Sequence, residues 1–347
     1  MKKIALLILY LYLSACQNKG NRNIDYEIFS GHIQNAPADK FILRNLQNQK
    51  AAVIQLDSSG NFSDTLHLPK SYYKMNLGEQ YTWLYLKPGY NLQMQLDYNN
   101  FDPSLSFEGT GAENNNYLAA KMLKGIELHP KTAYQYYGNL DEKTFVHLQD
   151  SIYNVYDQLL QQVTDNEFAD LEKFRNQFNK SSYLSKYEMV RRYLTHDKSF
   201  KVSNNFPRAF DNQILNDERF LKIPKGVQIL SEYLTFKIAE QKIGAEVDPY
   251  ERLQMIAKEI KNPKLKETLA LQEGKYTQHM EEFYRLFNRL VLNDSLKKPV
   301  KEKYHNLKSI MPGRPSPDFT AYDINGKEYH LKDFAGKTLT DLIDKTI

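Results

Sequence analysis

The spacing of apolar residues in this chain changes near Glu113 from a period of two to a period of three or four, and that change limits the folds available to it. Before Glu113, apolar residues recur at every second position, which is the spacing of a strand with one buried face. After it, they recur every three or four positions, which is the spacing of a helix with one apolar stripe. The chain is therefore expected to have an α+β fold, with an antiparallel β region followed by a helical region.

The β region is expected over residues 24–112. Its clearest strand alternates Leu92, Met94, Leu96 and Tyr98 with polar residues, so that one face meets a core and the other meets water. Segments rich in Gly, Pro, Asn and Ser separate the strands. The other expected strands are 26–33, 40–46, 51–56, 62–68, 72–77, 81–86 and 105–107. Short strands at this spacing predict an antiparallel sandwich or open barrel of about eight strands.

The helical region is expected over residues 113–308. The strongest helix is predicted at 275–292, where Phe283 and Phe287 belong to one apolar stripe. Pro249 is expected in the first turn of a helix, where its missing N–H costs no hydrogen bond. Prolines are expected to separate the helices at Pro130, Pro207, Pro224, Pro249, Pro263 and Pro299.

The N-terminus predicts export. Lys2 and Lys3 precede an apolar run at 4–13, which is shorter than the roughly 20 residues that span a bilayer core. This pattern is typical of a cleaved signal peptide, here residues 1–16, and a polar tether follows at 17–23. The 46 basic and 42 acidic residues nearly cancel without a long basic block, so no nucleic-acid partner is expected.

The segment Leu13-Ser14-Ala15-Cys16 resembles the lipobox of bacterial lipoproteins. The resemblance implies that Cys16 becomes the first mature residue and carries a lipid on its sulfur. The chain would then be anchored to a membrane of the bacterial cell envelope, with the outer membrane, the periplasmic face and the surface face all open. The alternative is an ordinary secretion site beside which Cys16 merely lies. Cys16 is the only cysteine, so no disulfide can form within the chain.

The C-terminal part contains a linker and a hairpin. A proline-rich linker is expected at 309–317, because a proline pushes the residue before it toward extended conformations. Asn325-Gly326 is a hairpin-turn signal between two expected short strands, at 318–323 and 328–331. Residues 313–319, 323–327 and 331–337 are similar to the opening of the redoxin or peroxiredoxin-like domain of envelope thiol-disulfide oxidoreductases. The resemblance implies a thioredoxin-like fold for this segment.

The whole layout resembles lipoproteins of Bacteroidetes-type bacteria, which combine a lipobox, a β domain of unknown function, a helical middle and a C-terminal thioredoxin-like domain. Residues 86–89 and 107–114 also look like the end of that β domain. Family members continue with an apolar strand and Trp-Cys-x-x-Cys, whereas this chain has Asp341 and Asp344 there and no further cysteine. Thiol-disulfide exchange needs an attacking and a resolving thiol, so no catalytic residue is assigned. Residues 318–347 are interpreted as a truncated thioredoxin-like segment from a truncated or frameshifted gene.

One binding site is predicted, and neither a cofactor nor a metal is expected, since no histidine spacing matches a metal site. Tyr81, Trp83 and Tyr85 alternate along an expected strand. If their rings face outward, they form an apolar patch for a protein, peptide or glycan partner in the envelope. The alternative is a tyrosine-rich β core.

Two hypotheses for function follow. The first is an envelope lipoprotein of the thiol-disulfide oxidoreductase type that is catalytically silent, with its status as an enzyme left open. The second is a non-enzymatic binding or scaffold lipoprotein that acts through its β and helical domains.

Overall fold

A computed structural model of the chain describes residues 24–129, 133–207, 214–240, 246–276, 281–309 and 315–336. The predicted signal peptide with Cys16, the tether, residues 310–314 of the linker and residues 337–347 lie outside this part of the chain. The described residues form strands first, helices in the middle and a small hairpin near the C-terminus.

The chain divides into two compact units. The first contains the residues up to Phe210 together with Arg219–Ile229, and the second contains Asp211–Glu218 together with Leu230–Ile347. The strands of the β region and the helices that follow them up to Thr195 therefore belong to the same unit.

The prediction of a β region rich in antiparallel strands is confirmed. The strands pair in two four-stranded sheets, with the orders β4-β1-β7-β8 and β3-β2-β5-β6. Neighbouring strands are antiparallel except β1 and β7, which are parallel. The strands are β1 (Glu27–Gln34), β2 (Lys40–Arg44), β3 (Lys50–Gln55), β4 (Asn61–Leu66), β5 (Ser71–Leu77), β6 (Gln80–Leu86), β7 (Asn91–Asp97) and β8 (Ser106–Thr110).

Both sheets contribute residues to a single apolar cluster, because alternate positions of each strand lie on the same face. Phe29, Phe41 and Phe62 come from three strands of the two sheets, and their ring centroids lie 5.0–6.2 Å apart in edge-to-face contacts. Burying each such ring stabilises the fold by about 1.5–3 kcal/mol. The described strands of the two sheets share no hydrogen-bonded pair.

Four helices follow the sheets in the first unit: α1 (Ala112–Leu128), α2 (Ala133–Asn139), α3 (Glu142–Leu160) and α4 (Asn166–Thr195). Gly111 precedes α1 with φ of 93°, and a Cβ atom there would lie 2.3 Å from the ring of Tyr90. Asp141 and Asp165 cap α3 and α4, each accepting a hydrogen bond from a backbone N–H of the first turn.

The division between the units falls within α5 (Gly226–Ala239), between Ile229 and Leu230. The second unit continues with α6 (Pro249–Glu259), α7 (Pro263–Gly274), α8 (Glu281–Leu290) and α9 (Asp294–Ser309). Pro249 lies in the first turn of α6, as predicted.

Two predictions about these helices are wrong. Lys275 and Tyr276 do not begin a helix, because their N–H groups donate to the carbonyls of Gln272 and Glu273 in a turn that ends α7. Residues 277–280 lie outside the described residues, and α8 begins at Glu281. Pro299 does not separate two helices, because it lies inside α9. The buried side chains of Val300 and Tyr304 in α9 supply packing that offsets the hydrogen bond this proline lacks.

The predicted C-terminal hairpin is present. Its strands are β9 (Thr320–Tyr322) and β10 (Glu328–His330), which pair in an antiparallel manner. Gly326 has a φ of 78°, and its N–H donates to the carbonyl of Asp323 within the turn. No helix among the described residues is long and apolar enough to cross a membrane.

Candidate binding site

The structure places Tyr81, Trp83 and Tyr85 on one face of β6, but in three different environments. Tyr85 is 1% exposed and Tyr81 is 38% exposed, and Trp83 is half-buried between them. On the neighbouring strand β5, Tyr72 lies opposite Tyr85 and Asn76 lies opposite Tyr81. We call the Tyr72–Tyr85 end of this face the covered end. The opposite end, with Lys74, Asn76, Tyr81 and Trp83, is the open end.

Aromatic rings from the helices pack on the covered end. The ring of Phe168 in α4 lies 4.9 Å from that of Tyr85 and 5.9 Å from that of Tyr72. Tyr117 of α1 lies 5.8 Å from Phe168. The alternative of a tyrosine core therefore describes Tyr85, whereas Tyr81 and Trp83 remain accessible.

A buried cluster of charges, which we call the Glu172 cluster, joins the helices to β5. The carboxylate of Glu172 in α4 has no exposed surface, and it lies 2.6 Å from Lys121 Nζ and 3.0 Å from Arg175 Nη1. The hydroxyl of Tyr72 donates to the same carboxylate at 2.9 Å. Burial alone would raise the pKa of Glu172, but Lys121 and Arg175 hold it down to about 2. Two cations and a phenol therefore fix one carboxylate between α1, α4 and β5.

Two adjacent asparagines in the first turns of α1 bind the edges of the two sheets. We call them the asparagine clamp. Tyr85 N–H donates to Asn115 Oδ1 at 2.8 Å, and Asn115 Nδ2 donates to Tyr85 O at 3.0 Å. Phe107 on β8 makes the equivalent pair of bonds with Asn116, both at 2.9 Å. Since β6 and β8 are edge strands of different sheets, the clamp links both edges through one helix.

The asparagine clamp was not predicted from the sequence. The signal was a run of three asparagines just after Gly111 at a helix start. Asparagine is favoured in such places because its side chain can bond to nearby backbone groups. Asn114, the first of the three, donates to the hydroxyl of Tyr90 at 2.7 Å and to Asp165 at 3.3 Å. Lys87 Nζ also lies 2.5 Å from the Asp165 carboxylate.

The open end carries a cation beside its aromatic rings. Lys74 Nζ lies 4.1 Å from the centroid of the Tyr81 ring, within the range of a cation–π interaction. Trp83 lies opposite Lys74 on the neighbouring strand. The accessible face therefore combines two aromatic rings and one positive charge.

Glu27 is a second buried carboxyl, on the other sheet. It is 1% exposed, and neither carboxylate oxygen has a hydrogen-bond partner of normal geometry among the described residues. Burial raises the pKa of Glu27 to about 7, against the opposing influence of the backbone amides of Glu27 and Leu68. In contrast to Glu172, this carboxyl keeps its proton until the pH rises to about neutral.

No group of three or more His, Cys, Asp and Glu side chains in the described part of the chain is placed to hold a metal ion. Comparisons of the chain with protein-family models, with curated proteins and with solved structures find no match.

Proposed function

We propose that this chain is a non-enzymatic envelope lipoprotein whose β region binds a protein or peptide partner at the open end of the β5–β6 face. The observation that carries the proposal is the contrast along that face. The covered end is packed under helices and held by the Glu172 cluster, whereas Tyr81 and Trp83 remain accessible at the open end of the same face.

Rigid support and accessible aromatic rings suit a binding surface. Tyrosine and tryptophan contribute most to binding energy at many protein interfaces. A surface already held in shape loses less conformational entropy when a partner binds. The asparagine clamp and the Glu172 cluster hold β6 and β5 beside the open end. We also infer that the two sheets form a sandwich, which the apolar cluster shared by both sheets supports.

Photo-crosslinking in cells tests the binding proposal. Tyr81 is replaced by p-benzoylphenylalanine, and the matched control carries the same residue at Tyr193, which is 77% exposed on α4 of the same unit. A discrete crosslinked partner from position 81, and none from position 193, is expected. Equal crosslinking from both positions, or none from position 81, contradicts the proposal.

The lipid anchor is a separate part of the proposal and has its own test. The lipobox-like sequence before Cys16 supports it. Mass spectrometry of the mature N-terminus should find Cys16 as the first residue with a diacylglyceryl group on its sulfur. The Cys16→Ser variant should lose this mass and leave the membrane fraction. An unmodified Cys16 in a protein that still fractionates with membranes contradicts the anchor.

The redoxin-type resemblance remains a second proposal, in a catalytically silent form. The β9–β10 hairpin favours it, because a hairpin precedes the first central strand in the family that the sequence resembles. An insulin-reduction assay with the full chain tests whether it lacks thiol-disulfide oxidoreductase activity, and no turnover above background is expected. Measurable turnover contradicts the view that a chain with Cys16 as its only cysteine has no thiol-disulfide activity.

A further inference from the structure

We propose that the partner binds at the open end by strand addition, as an extended peptide segment that pairs with the edge of β6 at Tyr81 and Trp83. This inference rests on the proposed function, since it specifies how the same site is occupied. Strand addition would use the backbone groups of β6, whereas the proposed function uses the aromatic side chains of the same strand.

The asparagine clamp shows which way the backbone of β6 points. The N–H and C=O groups of Tyr85 face away from β5, because both are bonded to Asn115. Backbone groups in an antiparallel strand alternate with a period of two residues. Those of Trp83 and Tyr81 therefore also face the edge. Among the described residues, no hydrogen bond reaches these outward groups.

Asn115 already occupies the place of a neighbouring strand at one position. Its side-chain amide supplies one donor and one acceptor to Tyr85, which is what one residue of an added antiparallel strand supplies through its own N–H and C=O. Trp83 and Tyr81 offer the next two such positions along the edge. A peptide in extended conformation would continue the hydrogen-bond pattern that Asn115 begins.

The other three edge strands of the two four-stranded sheets carry features that discourage strand addition. Charged residues and irregular pairing protect exposed edges. β3 begins with Lys50 and its pairing with β2 shifts register, β4 contains Asp64, and β8 contains Glu108 and is bonded to Asn116. β6 has no charged residue or proline between Gln80 and Leu86, and its pairing with β5 is regular.

The side chains around this edge define the peptide. Residues of an added strand alternate between the two faces of the sheet, and those on the open end would lie beside Tyr81 and Trp83. Apolar or aromatic side chains fit these positions. Lys74, whose ammonium lies 4.1 Å from the Tyr81 ring centroid, favours an acidic side chain nearby. We therefore expect an extended segment with apolar residues at alternate positions and an acidic residue among them.

A library of nine-residue peptides displayed on phage, selected against the full chain, supplies the probe. The selected peptides should show the alternating pattern and bind the unaltered protein in fluorescence anisotropy. Hydrogen exchange of the bound protein should show slower exchange at the amides of Tyr81 and Trp83. This measurement needs no substitution, so it decides the proposal even if a variant fails to fold.

Two variants at one position separate the backbone from the ring. Tyr81→Pro removes the outward N–H without removing a hydrogen bond to β5, whereas Tyr81→Ala keeps the N–H and removes only the ring. Peptide binding should be about tenfold weaker for Tyr81→Pro than for Tyr81→Ala. Circular dichroism checks that both variants are folded.

Failure of strand addition and failure of the proposed function give different results. Equal weakening by the two variants, with unchanged exchange at Tyr81 and Trp83, overturns strand addition but leaves binding through the aromatic rings. Self-association of the full chain that protects these amides without peptide overturns the peptide partner and makes a second copy the occupant. No selected peptide and no crosslink from position 81 overturns both the inference and the proposed function.

Discussion

The two ends of the β5–β6 face have the same strand pattern but different surroundings. At the covered end, Tyr72 and Tyr85 are packed under Phe168 and joined to the helices by the Glu172 cluster. At the open end, Tyr81 is exposed and lies beside Lys74. The comparison shows that aromatic residues at alternate positions form a core only where another element packs over them.

The largest expected effect is the loss of a ring at the covered end. Tyr85→Ala should lower the free energy of unfolding by about 3–5 kcal/mol, because it empties a space between Tyr72 and Phe168. Tyr81→Ala, at the open end, should lower it by about 1 kcal/mol or less. Urea denaturation of the full chain measures both values. Similar losses for the two variants would show that the ends do not differ as described.

Removing the buried charge tests what holds the covered end in place. Glu172→Gln should lower the free energy of unfolding by about 3–4 kcal/mol, because Lys121 and Arg175 would lose their carboxylate. The control is Glu167→Gln in the same helix, whose partner Lys70 lies in an exposed pair. That change should cost about 1 kcal/mol or less. Equal costs in urea denaturation would contradict a special role for the cluster.

The same carboxylate predicts a loss of stability in acid. Its folded pKa is lowered to about 2 from the ordinary glutamate value of 4.5. Its contribution is therefore present above about pH 4.5 and is lost as the pH falls toward 2. The Glu172→Gln variant should lack this part of the acid dependence in urea denaturation from pH 5 to pH 2. An unchanged acid dependence in the variant would argue against the lowered pKa.

Glu27 is expected to show the opposite pH dependence from Glu172, because it is buried without a cation partner among the described residues. Its folded pKa is raised to about 7 from the ordinary glutamate value of 4.5, so the folded state binds the proton more tightly. The stability contributed by this group is complete below about pH 4.5 and is lost as the pH rises through 7. The free energy of unfolding of the Glu27→Gln variant, relative to that of the unaltered chain, should therefore rise by about 3 kcal/mol between pH 4 and pH 8. Urea denaturation at both pH values measures the change, and a constant difference would contradict it.

The smallest expected effects are the losses of stability when either residue of the asparagine clamp is replaced by alanine. Asn115 is fully buried, so Asn115→Ala should cost about 1–3 kcal/mol by leaving the Tyr85 backbone groups without partners. Asn116 is exposed, so water can replace its side chain in Asn116→Ala, and the cost should be about 1 kcal/mol or less. Thermal unfolding compares the two variants. A larger loss of stability for Asn116→Ala than for Asn115→Ala would contradict the view that the buried Asn115 is the more important residue of the clamp.

Local patterns were sufficient to predict many elements of the fold. The period of two placed all eight strands of the β region, and Asn325-Gly326 marked the C-terminal turn. The helical spacing of apolar residues also marked Phe283 and Phe287 as buried residues of a helix. It failed at Pro299, because a local rule against proline in helices takes no account of packing by Val300.

The candidate site was predicted only in part. Tyr81, Trp83 and Tyr85 were singled out by their alternation, but that alternation is the same whether the face is covered or open. Glu172 has the sequence context of an ordinary surface residue on a helix, yet it is fully buried. Its role depends on Lys121, which is distant in the chain and close only after folding.

The sequence by itself determined where strands and helices form, because the spacing of apolar side chains and the turn residues act over a few positions. Only the tertiary structure decided which sheet each strand joins, that β1 and β7 are parallel, and that α1 and α4 cover one end of the β5–β6 face while the other stays accessible. The physical reason is that hydrogen bonding between strands and burial under helices depend on residues brought together from distant parts of the chain.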